Sequence, residues 1–245
     1  DADGAGALNG GEGSPARANV SVPSSIQLVA GSGRPLSNTL IMSPLPPAVR
    51  NGWMRTKRSP AAPGSIGNVG PGLDILGCAV TGLADRVTAW REGDAGVRIA
   101  APGHPDLPSD PAAHASAIAA AALLDRARAA GRRTFGIALA LEKGLPLAGG
   151  QGGSAASAVA GAAAANALLD DPLDRMAVLE SAFAAESVVA GPHLDNVAPC
   201  VFGGIVLVRS TDPVDLVQIA APEALRIVLA LPDMRLRTRD ARSVL

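Results

Sequence analysis

The chain has 245 residues, enough for one large or two modest domains. Hydrophobic residues make up 48% of it but aromatic ones only 2%, with no Tyr, so the core must rest on Ala, Val, Leu and Ile. A chain so poor in aromatics lacks stacking platforms for single-stranded nucleic acid, and a net charge of −1 gives no pull toward nucleic acid or an anionic membrane.

Cys78 and Cys200 stand far apart, without metal-ligand spacing, and read as buried free thiols in a reducing compartment. No apolar run reaches the ~20 residues of a membrane span. The N-terminus lacks a basic region followed by an apolar one, so the expected setting is cytoplasmic.

Residues 1–58 are rich in Gly, Ser, Pro, Ala and Asn and show no sustained period beyond a short strand candidate, Ser24 to Ala30. They read as a disordered or non-native leader, with Met54 as a candidate start. From Pro60 to Gly77 the chain is a loop punctuated by Gly and Pro that carries Ser65, Asn68 and Asp74. Asp85 to Glu92 and Gly96 to Ala100 alternate as adjacent strands about a turn at Gly93-Asp94. Ser109-Asp110-Pro111 opens a helix that runs to about Ala130 and stops at Gly131. Thr134 to Glu142 is a strand. Asp171-Pro172 starts another helix, through Glu186 to about Gly191, and a loop then leads to Phe202-Gly-Gly. Ile205 to Arg209 and Leu225 to Leu231 read as strands, and Thr238 to Leu245 as the start of a helix. Strands mixed with helices in this order suggest an α+β architecture.

Between the strand at Thr134 and the helix at Asp171 lies the stretch that carries chemistry. Gly149, Gly150, Gly152 and Gly153 crowd together ahead of Ser154 and an Ala-rich helix reaching about Leu169. Glycines let a loop fold tightly and bring its N–H groups to a ligand. A helix starting there adds unpaired N–H groups and the positive end of its dipole. Together these make an anion cradle, most naturally for phosphate; taken alone, the stretch is equally a flexible turn before a buried helix.

Three motifs gain meaning from their order: Ser65-Ile-Gly-Asn68-Val-Gly70-Pro-Gly72-Leu-Asp74, the loop Pro146 to Ser157, and Glu186 with His193-Leu-Asp195-Asn196. Together they resemble the GHMP kinase superfamily and, within it, the homoserine kinases, over about Ser59 to Leu245. The resemblance implies an ATP-binding α+β N-terminal domain over residues 59–210 and, over 211–245, the start of an incomplete ferredoxin-like C-terminal domain. It implies transfer of the ATP γ-phosphoryl group to the hydroxyl of L-homoserine, in threonine biosynthesis, with Mg2+.

By the same resemblance, ATP phosphates would lie on Pro146, Leu147, Ala148, Gly149, Gly150, Gln151, Gly152, Gly153, Ser154, Ala155 and Ala156. Gln151 stands where the family has an apolar residue, and Gly153 where it has a Ser. Ser154 and Glu186 would hold Mg2+. Asn196 would take the substrate hydroxyl, with Asp195 orienting substrate and His193, Asn68 and Asp74 near the amino acid. Thr238 and Arg242, one helical turn apart, would meet the substrate carboxylate or the transferring phosphate. Turn chemistry is the plainer role for Asn68 and Asp74, and helix N-capping for Ser154.

The family's third glycine-rich motif would follow Leu245, so an unstable or inactive fragment is expected, with apolar surface at Val206, Leu225, Ile227 and Leu229 uncovered. A homodimer is left open, and neither nucleic acid nor membrane is an expected partner. A mevalonate- or shikimate-type kinase and a catalytically dead nucleotide-binding module are the competing readings. A Rossmann dehydrogenase is disfavoured, because the glycine spacing is wrong.

Overall fold

A computed structural model of the chain describes residues 57–93, 96–222 and 224–230. All but the last two positions of the leader read over residues 1–58, the strand candidate at Ser24, Met54, and the helix expected to carry Thr238 and Arg242 lie outside the described residues. Among the described residues no helix is long and apolar enough to cross a membrane.

One mixed sheet organises the fold. Its axis is β3, Leu76–Glu92, which is longer than the strand expected at Asp85 and begins inside the segment read as loop. Along one edge of β3 run β1, Lys57–Arg58, and β2, Ala61–Ile66, both antiparallel. The first of these occupies the last two positions of the presumed leader, and the second takes the front of the expected loop. The other edge of β3 is shared. Its beginning pairs with β6, Ile205–Thr211, and its end with β5, Gly136–Glu142, both antiparallel.

The expected hairpin after β3 does not form. Strand β4, Val97–Ala101, pairs in parallel with β5, which separates it from β3. Beyond β6 the sheet adds β7, Val214–Ile219, which the sequence reading passed over. The apolar run from Leu225 is not in a strand over its described part, to Ala230. Val206, expected to lack cover, is fully buried, whereas Leu225 and Val228 are exposed.

Helices cover one side of this sheet. Helix α1, Ala115–Ala129, starts later than Ser109-Asp110-Pro111 suggested. Asp110 spends its capping capacity on a turn of its own: its Oδ1 accepts from Ala112 N at 2.9 Å and its carbonyl from Ala113 N at 3.1 Å. The end is as expected, with Gly131 at φ +73. Helix α2, Gly153–Leu168, lies in the centre of the core, and Ala155 to Ala165 are buried on every face. A helix apolar all round belongs inside. Helix α3, Arg175–Val189, is capped by Asp174, whose side chain accepts from Ala177 N, rather than by Asp171. Within the presumed loop after Gly191 lies a short helix, α4, Val197–Phe202. Its Pro199 sits in the first turn, where a missing N–H costs nothing.

Small residues let α1 and α2 approach closely. A Cβ added at Gly161 would lie 2.2 Å from the Ser116 carbonyl oxygen, which is backbone and cannot step aside. Gly161→Ala gains helix propensity of about 1 kcal/mol but overpacks this crossing at a typical cost of 1–3 kcal/mol or more. A net fall in the thermal unfolding midpoint is expected, and an unchanged midpoint would mean that the helices part without penalty.

The far end of α2 is tied to the sheet. Arg58 Nε donates to Ala167 O at 3.0 Å, and Arg91 donates to Leu168 O and, at 2.6 Å, to Asp170 Oδ1 while its guanidinium stacks on Phe135. Guanidinium groups there satisfy the last carbonyls and suit the negative end of the helix dipole.

Candidate active site

The glycine-rich loop between β5 and α2 alternates in backbone handedness. Ala148, Gly150 and Gly152 have φ of +53, +69 and +62, whereas Gly149 and Gln151 do not take positive φ. Alternation of this kind turns successive N–H groups toward one concavity, an anion-binding nest. Ala148 pays for it with a left-handed conformation that a Cβ disfavours. The nest runs directly into α2, whose N-cap is Gly152 with no side-chain cap bond. The first N–H groups of a helix lack intrahelical partners, and here no side chain caps them. Loop and helix therefore aim donors and a positive dipole end at the same place.

Ser154 is not the N-cap. It is the second residue of α2, and its Oγ donates to Glu186 Oε1 of α3 at 2.9 Å. Glu186 is buried, and its Oε2 has no hydrogen-bond partner. Burial pushes its carboxyl up to about 7; the Asp195 charge adds to this, and Ser154 and the Lys143 charge oppose it. A buried carboxylate with an idle oxygen beside a hydroxyl, at the mouth of an anion cradle, fits a hard divalent cation. Among the described residues no three His, Cys, Asp or Glu side chains converge on one point. Mg2+ commonly takes only one or two carboxylates, with phosphates and water completing its shell, so Ser154 and Glu186 suffice.

The first loop and the His193-Asp195-Asn196 segment meet against this cradle. Asn68 N donates to Asp195 Oδ2 at 3.1 Å, and His193 Nδ1 lies 3.4 Å from Asp74 Oδ1. Ser65 Oγ donates to Asn196 Oδ1 at 3.0 Å. Asn68 and Asp74 are also turn residues, at φ +56 and +61, and Asn68 Oδ1 accepts from Asp74 N at 2.8 Å. The turn role weighed from the sequence is thus the one the backbone displays. Glycines allow the close approach: a Cβ at Gly77 would lie 1.6 Å from Asp195 O, and one at Gly67 2.2 Å from Asp195 Oδ2. The site residues expected from the sequence and lying among the described residues therefore gather around one cleft, and Thr238 and Arg242 lie outside the described residues.

Beneath the cradle is a charge network that sequence reasoning missed. Lys143, just past β5, reaches under the loop to Asp85 Oδ2 of β3 at 2.5 Å, Gly153 O at 2.8 Å and Ser157 Oγ at 3.2 Å. Asp85 accepts further from Ser157 Oγ at 2.6 Å and from Gly144 N and Leu145 N at 3.1 Å each. The two charged side chains are 5% and 0% exposed. Asp85 thus fixes both the start of the loop and the first turns of α2.

Comparison with known proteins agrees with this geometry. Residues 115–204 match the family described as "GHMP kinases N terminal domain". The homoserine kinase of Chlorobium phaeobacteroides (strain DSM 266 / SMG 266 / 2430) is 40% identical over 201 residues, spanning 78% of this chain and 62% of that protein. That of Xylella fastidiosa (strain M12) is 42% identical over 185 residues, 75% of this chain and 56% of that one. The crystal structure of homoserine kinase from Cytophaga hutchinsonii ATCC 33406 superposes with a TM-score of 0.68 at 34% identity, covering 81% of this chain and 62% of that one. The chain spans about 60% of the length of these relatives. Motif order, cradle geometry and sequence similarity converge: residues 115–204 match the GHMP kinase N-terminal domain, and the chain is similar to homoserine kinases over about three quarters of its length.

Proposed function

We propose that the protein to which this chain belongs is a homoserine kinase, transferring the ATP γ-phosphoryl group to the side-chain hydroxyl of L-homoserine, with a cytoplasmic place in threonine biosynthesis. The observation that carries this reading is the left-handed alternation at Ala148, Gly150 and Gly152 opening onto Ser154 and Glu186. Phosphoryl transfer asks a protein mostly for positioning and charge neutralisation. The loop from Pro146 to Ala156 supplies N–H donors to the ATP phosphates. Ser154 and Glu186 would hold Mg2+, which when bound neutralises phosphate charge. Asn196 holds the substrate hydroxyl, Asp195 orients the amino acid rather than acting as a base, and Asn68, Asp74 and His193 line its amino end. Thr238 and Arg242 are assigned to the carboxylate or the moving phosphate. The division into an ATP-binding domain to residue 210 and a second domain from 211 belongs to the same proposal, as does a homodimer.

The test combines calorimetric titration of ATP with Mg2+ into the chain and, for the whole protein to which the chain belongs, ADP release with L-homoserine, mevalonate and shikimate. Binding of ATP, with homoserine alone raising ADP release, is the expected result. Release driven by mevalonate or shikimate instead would reassign the substrate, and absence of ATP binding would overturn the reading altogether.

A further inference from the structure

Ser65 touches all three parts of the cleft, yet it bears no ligand role in the reading above. It is fully buried at the end of β2. Its N–H donates to Gln151 O of the phosphate loop at 3.1 Å, and its hydroxyl donates to Asn196 Oδ1 at 3.0 Å. Packing holds this arrangement from both sides. A Cβ at Gly152 would lie 2.2 Å from Ser65 Oγ and 2.8 Å from Asn196 Oδ1, while one at Gly67 would lie 2.6 Å from Asn196 Nδ2. The Asn196 amide is therefore sandwiched between two glycines, with its oxygen toward Ser65 and Gly152 and its NH2 toward Gly67.

An amide has two chemically opposite ends, and only one can be offered to a substrate at a time. We propose that Ser65 is a positioning residue for the substrate hydroxyl: by occupying Asn196 Oδ1 it commits the Asn196 NH2 as the donor that meets that hydroxyl, and through its N–H it registers Asn196 against the phosphate loop. The hydroxyl oxygen then accepts from Nδ2, and its own proton stays free of the amide. Without Ser65, Asn196 can turn over and present an acceptor. The inference rests on the homoserine kinase reading for the identity of the ligand, but not for the orientation of Asn196.

Two measurements on the whole chain separate these. In the first, L-homoserine is titrated into wild type, Ser65→Ala, Ser65→Thr and Asn196→Ala, each saturated with a non-hydrolysable ATP analogue and Mg2+; the nucleotide is titrated separately. Ser65→Ala is expected to weaken homoserine about tenfold and nucleotide less than twofold. Ser65→Thr, which keeps the hydroxyl, restores most of the loss, and the Ser65→Ala/Asn196→Ala double variant is no worse than Asn196→Ala. Wild-type homoserine affinity in Ser65→Ala, additive losses, or equal losses for both ligands would overturn the proposal. The second measurement is the side-chain NH2 signal pair of Asn196 in nitrogen-edited NMR of the ligand-free chain. Dispersed signals that collapse toward free-amide positions in Ser65→Ala support the positioning role, and unchanged signals overturn it. Failure of homoserine to bind wild type would count against the kinase reading alone and leave this second measurement to decide.

Discussion

Asp85→Asn is expected to destabilise the chain by about 3–5 kcal/mol, because it strands the Lys143 ammonium in a site with almost no water. The size follows from the asymmetry of buried ion pairs: the pair itself adds little net stability, but one partner left alone bears an uncompensated desolvation cost. Lys143→Met alone should be damaging for the mirror reason. The double variant Asp85→Asn/Lys143→Met should recover much of the loss, since neither charge then remains. Urea unfolding of the four proteins measures this cycle. Additive losses would mean that Asp85 and Lys143 act independently, contrary to the 2.5 Å contact between them.

Glu186→Gln should change how stability depends on pH. With its carboxyl pushed from the usual 4.5 up to about 7 by burial, the folded chain holds a proton that the unfolded chain releases. Below about pH 4.5 both states are protonated and the group's contribution is fully present. As pH rises to about 7 the unfolded state is increasingly favoured, and above that the contribution is lost. The loss amounts to roughly 3 kcal/mol from the linkage of one group. Gln carries no such proton, so the variant should lack this slope and be more stable than wild type at pH 8 without Mg2+. It should also lose Mg2+-dependent ATP binding. Urea midpoints at pH 4.5, 6, 7 and 8 test the first point; parallel pH profiles for the two proteins would refute it.

The parts of this fold that were legible are those in which one stretch carries its own reason. Glycines at 149, 150, 152 and 153 followed by an Ala-rich run predict a loop entering a buried helix, and α2 begins at Gly153. The strand at Thr134 and the stop at Gly131 were local signals of the same kind. Legibility failed where the deciding partner is distant. Lys143 and Asp85 are 58 positions apart, and Ser65 and Asn196 are 131 apart. No local pattern announces either contact.

The hairpin error is similar. Gly93 offers a turn signal, but Val97–Ala101 finds its partner in β5, some forty positions on, because a parallel pairing through α1 fills that edge. Apolar content misled at Leu225, where residues to Ala230 join no strand, while β7 was overlooked because Asp215 and Gln218 break its apolar run. Pro199 hid α4 by suggesting a break where a first helical turn accepts it.

The ties from Arg58 and Arg91 to the last carbonyls of α2 bear on how the cleft can move. Helix α2 is a strut of roughly 24 Å, pinned to β1 and β3 at one end and, through Lys143 and Asp85, to β5 and β3 at the other. A strut fixed at both ends cannot slide along its axis to follow a nucleotide. Any give during phosphate capture and release is then confined to the few peptide units from Pro146 to Gly152. On the proposed reading the domain would work as an anvil: the phosphates would come to a stationary helix end, and adjustment would fall to whatever is brought against it.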